Sequence, residues 1–305
     1  MKEMIKKVPV PLCGVMLGVA ALGNLLQSYS EGIRHVCGIV SGLLLIVILM
    51  KLILFPKMVK SDLENPIMAS VSGTFPMALM LLSVYVKPWI GQIAYYIWIF
   101  AILLHVVLIV YFTLKFIVKL QIPKVFASYY IVYVGIAVAA ITAPAYEKLG
   151  IGVASFWFGF ASLIALFVLV TIRYVKYKEV PEPAKPLICI YAAPTSLCLA
   201  GYIQSVTNKS YGFLMAMFVV ASILYLFALV KAIGYFKLPF YPSYASFTFP
   251  FVISAIASKQ TNACLIKMGR AIPILQTVVM IQTIIAVVFV VYALIQFCKF
   301  ILMEK

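Results

Sequence analysis

Helix-breaking residues recur at nearly constant intervals along this chain. Gly18, Pro76, Gly135, Pro194 and Pro250 are separated by 58, 59, 59 and 56 residues. Each lies within an apolar run about as long as a bilayer-spanning helix, roughly 20 residues. A period near 58 residues is the length of two such helices with their loops. The pattern therefore predicts five tandem helical hairpins, in which the first helix of each pair is interrupted and the second is not.

Composition fixes the solvent. Apolar residues make up 65% of the 305 positions and charged residues only 10%, with a mean hydropathy of +1.13. A soluble domain carries about 25% charged residues, so this chain has too few to build a water-soluble surface. Apolar runs between charges place ten spans at 9–28, 34–54, 66–86, 89–113, 124–145, 152–173, 185–205, 211–234, 239–258 and 274–298. The expected fold is an all-α integral membrane protein, a single ten-helix domain over residues 1–305. Met1–Lys7 and the following run resemble the start of a signal peptide, but the run continues into a second span, and we read it as a retained first helix.

The formal charge of +16 reads as an address. Seven of the 24 basic residues (Arg34, Lys87, Lys148, Lys209, Lys259, Lys267 and Arg270) fall on one side of the spans and 17 on the other. The positive-inside rule places the richer side, and with it both termini, in the cytoplasm of a cell-membrane protein. No basic run with interleaved aromatics lies away from a membrane flank, so nucleic acid is not an expected partner. The six cysteines form no CxxC pair, and five lie in apolar runs, where cysteine behaves as a small hydrophobe. No metal or other cofactor is expected.

A proline inside a helix removes a backbone hydrogen bond and clashes with the preceding turn. In hydrocarbon the freed carbonyl must find a partner in protein or water. The interrupted odd-numbered helices therefore belong inside the bundle around a pore, with the five straight even-numbered helices outside. The odd helices also carry Ser70, Ser72, Thr74, Ser128, Thr195, Ser196, Ser246, Thr248 and Ser254 near mid-membrane. Such residues either line a passage or simply permit close packing. No Asp, Glu, Lys or Arg lies mid-span, and His105, on the fourth helix, reads as a packed hydrogen-bonding residue. Ion-coupled carriers usually need intramembrane ionisable groups, and an intramembrane enzyme needs a catalytic constellation. Their scarcity favours a neutral passive passage.

Several of these segments resemble one family. The words Ser72-Gly73-Thr74-Phe75-Pro76 and Ser246-Phe247-Thr248-Phe249-Pro250, the stretch Cys189–Tyr202 with Ala193-Pro194 and Gly201-Tyr202, Pro11 through Gly18, and Asn65-Pro66 are similar to the TehA family of tellurite-resistance and C4-dicarboxylate transporters. Its relatives include the plant guard-cell slow anion channel. At Cys13 the family commonly has an aromatic. The resemblance implies a homotrimer, each protomer with an anion pore lined by the five odd helices. It also implies a plug formed by the phenylalanine before the ninth-helix proline, here Phe249. On its own Phe249 reads as one packed aromatic among 21 phenylalanines; the resemblance makes it the gate. Phe75 holds the equivalent repeat position. The further kink and lining candidates are Gly14, Gly18, Pro76, Gly135, Pro194, Thr195, Thr248 and Pro250. The external loop from Lys259 to Pro273, with Lys267 and Arg270, is a candidate anion-concentrating mouth. The expected function is a passive anion-selective channel or uniporter for small inorganic or organic anions. The alternative is a coupled carrier exporting C4-dicarboxylates, tellurite or sulfite-like oxyanions.

Overall fold

The computed structural model describes residues 2–302, and every regular element among them is helical. Lys305, counted above with the basic side, lies outside the described residues. Among the described residues seven helical stretches are long and apolar enough to cross a membrane: Glu31–Leu54, Pro66–Ile90, Gln92–Ile117, Leu149–Lys176, Glu182–Ser205, Tyr211–Tyr235 and Ile274–Leu302. Shorter pieces cover the remaining expected spans.

The helices are α1 (Lys2–Lys7), α2 (Leu12–Leu26), α3 (Glu31–Leu54), α4 (Pro56–Asp62), α5 (Pro66–Val71), α6 (Thr74–Ile90), α7 (Gln92–Phe112), α8 (Tyr129–Tyr133), α9 (Val138–Thr142), α10 (Leu149–Lys176), α11 (Ala193–Ser205), α12 (Tyr211–Tyr235), α13 (Phe249–Lys267) and α14 (Ile274–Leu302). Local chemistry sets several starts. The Asn65 side chain accepts from the amides of Ile67 and Met68, with Pro66 as the first helical residue of α5. Ser30 and Ser210 cap α3 and α12 in the same manner.

Burial separates two classes of helix. In the most apolar stretches of α3, α7, α10, α12 and α14, only 17% to 39% of residues are buried. The figures are 67% for Pro66–Ile90 and 89% for Glu182–Ser205. Ile39, Leu103, Val168, Ile223 and Ile284, one on each of the five outer helices, are more than half exposed. Apolar faces of that extent suit a lipid surround.

The inner elements close a circle. α2 packs on α6, α6 on α9, α9 on α11, α11 on α13, and α13 returns to α2. Each also packs on the outer helix that follows it, as α2 does on α3 and α13 on α14.

The interruptions differ in form from a kinked helix. The third segment breaks between α5 and α6, and Pro76 is the third residue of the new helix. Pro194 and Pro250 are each the second residue of theirs, α11 and α13, after 3-10 turns over Glu182–Ala192 and Pro242–Phe247. A first-turn proline gives up no intrahelical hydrogen bond, since those amides have no partner within the helix. The prolines thus start second half-helices.

The glycine readings need correction. Gly14 and Gly18 lie inside the unbroken α2 and make no kink; the break in the first segment falls at Val8–Pro11, between α1 and α2. Around Gly135 the fifth segment is no single helix over 124–145. It is a succession of short turns: Ile122–Lys124, α8, Gly135–Ala137, α9 and Ala143–Tyr146. The expected loop from Lys259 is helical as far as Lys267, because polar residues continue α13 once the apolar run has ended.

Candidate anion pathway

Two cavities lie end to end inside the ring. The first, of about 240 Å3, has walls from all five inner segments: Pro11 and Gly14; Val71, Thr74 and Met77; Tyr130, Val134 and Gly135; Ile190, Pro194 and Leu197; Ala245, Phe249 and Pro250. These residues come from the N-terminal half of each segment. The second, of about 250 Å3, is bounded by Ala21, Asn24, Leu25, Leu81, Val138, Ile141, Ile253, Ile256, Lys259 and Gln260, together with Phe249. These come from C-terminal halves. Among the described residues Phe249 is the one side chain on both walls. The segments therefore run parallel, and a single benzyl ring stands between the two chambers.

Backbone chemistry fixes that ring. Phe249 is the first residue of α13 and only 6% exposed. Thr248 before it adopts φ −91° and ψ −94°, breaking the helix. Its hydroxyl can donate to the carbonyl of Ala245 at 2.7 Å or to that of Gly14, on the facing α2, at 2.9 Å. Close approach needs Gly18: a methyl group there would lie 2.5 Å from the Thr248 Cβ and 3.0 Å from the Phe249 nitrogen. Glycine is required at position 18 by this contact, since no side chain fits between α2 and the break.

The candidates divide into three groups. Gly14, Gly135, Pro194, Pro250 and Phe249 lie on the first cavity wall. Gly18, Thr195 and Thr248 do not line either chamber; Thr195 and Thr248 are buried behind the walls. Phe75 and Pro76 face a separate lateral cavity of about 450 Å3, beside Cys13, Ile48, Leu104 and Tyr111. Phe75 is therefore no constriction of the central route. The repeat equates it with Phe249, but its side chain turns toward the outer helices α3 and α7.

Most of the hydroxyls serve the broken backbone. Ser72 donates to Ala69 O, Thr74 to Val71 O and Ser246 to Pro186 O, each at 2.7 Å. Ser196 reaches Ala192 O at 2.8 Å, and Ser254 lies within reach of Ala192 O and Pro250 O. Ser70 pairs with Ser128 at 2.7 Å. A hydroxyl has one hydrogen to give, so these groups have little donor capacity left for an anion. Tyr130 and Ser243, both on the first wall, carry hydroxyls that make no hydrogen bond of good geometry.

His105 is fully buried, with Nε2 2.9 Å from Val132 O beside the broken fifth segment. Because a carbonyl can only accept, Nε2 carries the hydrogen. Sequence reading placed Lys259 in a loop, yet it lines the second chamber, its ammonium donating to Leu25 O at 2.8 Å and to Ser28. Its position immediately after an apolar run was the available signal.

The model of the voltage-dependent anion channel (SLAC1) family matches residues 7–299. The chain belongs to that family. No curated protein matches it in sequence. As a member of the voltage-dependent anion channel family it is a membrane anion channel or transporter, in a family of transport proteins and not of enzymes. The anion channel family includes the TehA-like bacterial proteins that the Thr-Phe-Pro words resemble. Among the described residues no group of three His, Cys, Asp or Glu side chains could hold a metal ion.

Proposed function

We propose that the chain is a passive anion channel or uniporter whose pathway runs through both chambers and is closed by Phe249. The observation that carries this reading is the shared position of Phe249 on the two walls. An apolar ring filling a narrow gap excludes water and ions together, a hydrophobic constriction of the kind that gates by dewetting.

In this reading ten segments cross the membrane as five tandem hairpins, the broken ones inside and the straight ones outside. The basic face, with both termini and the first chamber, lies in the cytoplasm, which the distribution of 17 basic residues against 7 supports. Phe249, Gly14, Gly135, Pro194 and Pro250 form the pathway. Gly18, Thr195 and Thr248 support it from behind. Neither wall carries Asp, Glu or His. A passage of this kind binds an anion weakly and lets it leave, whereas a carrier coupled to protons needs a group that titrates. The family resemblance leads us to expect three such protomers in the assembly, each with its own pore, and substrates among small inorganic and organic anions.

Planar-bilayer recording of the purified protein tests the proposal. Phe249→Ala should raise anion current several-fold over the parent with the same reversal potential under ion substitution. Equal and negligible currents from both proteins would overturn the gate. Flux that vanishes without a proton or sodium gradient would replace the channel by a carrier.

A further inference from the structure

A cleft outside the pathway holds a buried cation that forms no ion pair among the described residues. Arg173, near the end of α10, is only 2% exposed. Its Nη1 donates to Tyr177 O at 2.7 Å and its Nη2 to Glu179 O at 3.2 Å, while Nε has no hydrogen-bond partner. The guanidinium lies 4.8 Å from the ring centre of Phe126. Among the described residues no carboxylate pairs with it. A guanidinium has five N–H groups, and two satisfy the backbone. Taking such a charge out of water without an anionic partner is costly.

The surroundings add positive charge instead of removing it. Arg173 lines a cleft of about 980 Å3 with Lys124, Lys176 and Lys178, against one acid, the exposed Glu179. The three lysines are exposed, and the Lys176 ammonium lies 5.8 Å from the centre of the Tyr177 ring. Pro181 borders this cleft and also the first chamber of the pathway. The segment from Tyr177 to Pro181, which Arg173 holds by two carbonyls, is thus the partition between them.

We propose that this cleft is a binding site for a phosphate-bearing anion, separate from the conduction pathway, whose occupant braces the Tyr177–Pro181 strap at the rim of the first chamber. Several donors, from one guanidinium and three amines lining the same cleft, suit the multiple oxygens of a phosphate better than a monatomic anion. The phosphate could be free or carried on a lipid headgroup, since the cleft lies at the end of a lipid-facing helix.

The test is calorimetric titration of the full chain in detergent with inorganic phosphate, in a chloride background of constant ionic strength. We expect one saturable site per chain and slower amide hydrogen exchange over 177–180 when phosphate is bound. The doubly substituted Lys176→Gln, Lys178→Gln protein changes only exposed residues and should bind about tenfold more weakly, the loss expected for weakened charge-assisted contacts. Arg173→Gln should abolish binding. Phe249→Ala should leave it unchanged, which separates this site from the gate. In nanodiscs of phosphatidylcholine the phosphate site should persist. Its loss in discs containing phosphatidylglycerol would identify a lipid headgroup as the occupant, and its persistence there a free phosphate. Absence of saturable binding, or equal affinity in the parent and the double variant, would overturn the proposal.

Discussion

The hydroxyl of Thr248 lies 2.9 Å from the carbonyl oxygen of Gly14, joining residues 234 apart in the chain. This contact sits immediately before the ring that separates the two chambers. It brings the start of α13 against α2, while the same hydroxyl lies 2.7 Å from the Ala245 carbonyl in its own segment.

Thr248→Val keeps the side-chain shape and removes the donor. The Gly14 carbonyl keeps its place in the α2 ladder, so the expected cost is that of one net hydrogen bond, about 0.5–1.5 kcal/mol. A lower melting temperature in detergent, together with a raised basal anion current, would be the result. An unchanged current would show that the ring is held by packing alone.

Gly18→Ala attacks the same junction from the other side. The added methyl meets Thr248 Cβ at 2.5 Å and the Phe249 backbone at 3.0 Å, so the backbone must shift. Overpacking of this kind costs about 1–3 kcal/mol. We expect reduced thermal stability comparable to that of Thr248→Val, measured by the same melt.

Phe75→Ala separates the repeat from the pathway. Because Phe75 faces the lateral cavity, its truncation should leave anion current at the parent level, while Phe249→Ala raises it. A large current from Phe75→Ala would place the constriction on the third segment instead.

These contrasts show what sequence could and could not reveal. The apolar runs, the all-helical class and the breaks near Pro76, Pro194 and Pro250 were legible, because hydrophobicity and helix breaking are local properties. Gly18 was not legible as a contact residue: a glycine that breaks a helix and one that admits a neighbour look alike until the neighbour is known. The same holds for Phe75 and Phe249, whose flanking words match although their side chains enter different cavities. Thr74 and Ser246 suggested a polar lining, but their hydrogens are committed to backbone carbonyls freed by the breaks. The fifth segment carried only Gly135 as a marker, and its division into short turns reflects packing against α10, α11 and His105.

Lys259→Gln should lower anion conductance in dilute salt and have little effect in concentrated salt. The ammonium lines the second chamber, and its reach is about 30 Å at 0.01 M ionic strength but about 3 Å at 1 M. Single-channel recording of the Phe249→Ala background at both salt concentrations measures the difference. Equal ratios at the two would show that Lys259 acts only through its hydrogen bonds to Leu25 and Ser28.

Anion flux into liposomes should be the same at pH 6 and pH 8. Neither chamber wall contains a carboxylate or imidazole, and the nearest histidine, His105, spends its Nε2 hydrogen on Val132. A steep change between these values would point to proton coupling.

The circle of inner elements closes only where α13 meets α2. During synthesis the first four staves are in place before the last emerges, and a barrel short of one stave has an open side toward lipid. The element that completes the wall also brings the ring that borders both chambers. If Phe249 is the plug we propose, a nascent chain passes from no conduit to a stoppered conduit in one step, with no unguarded hole in between.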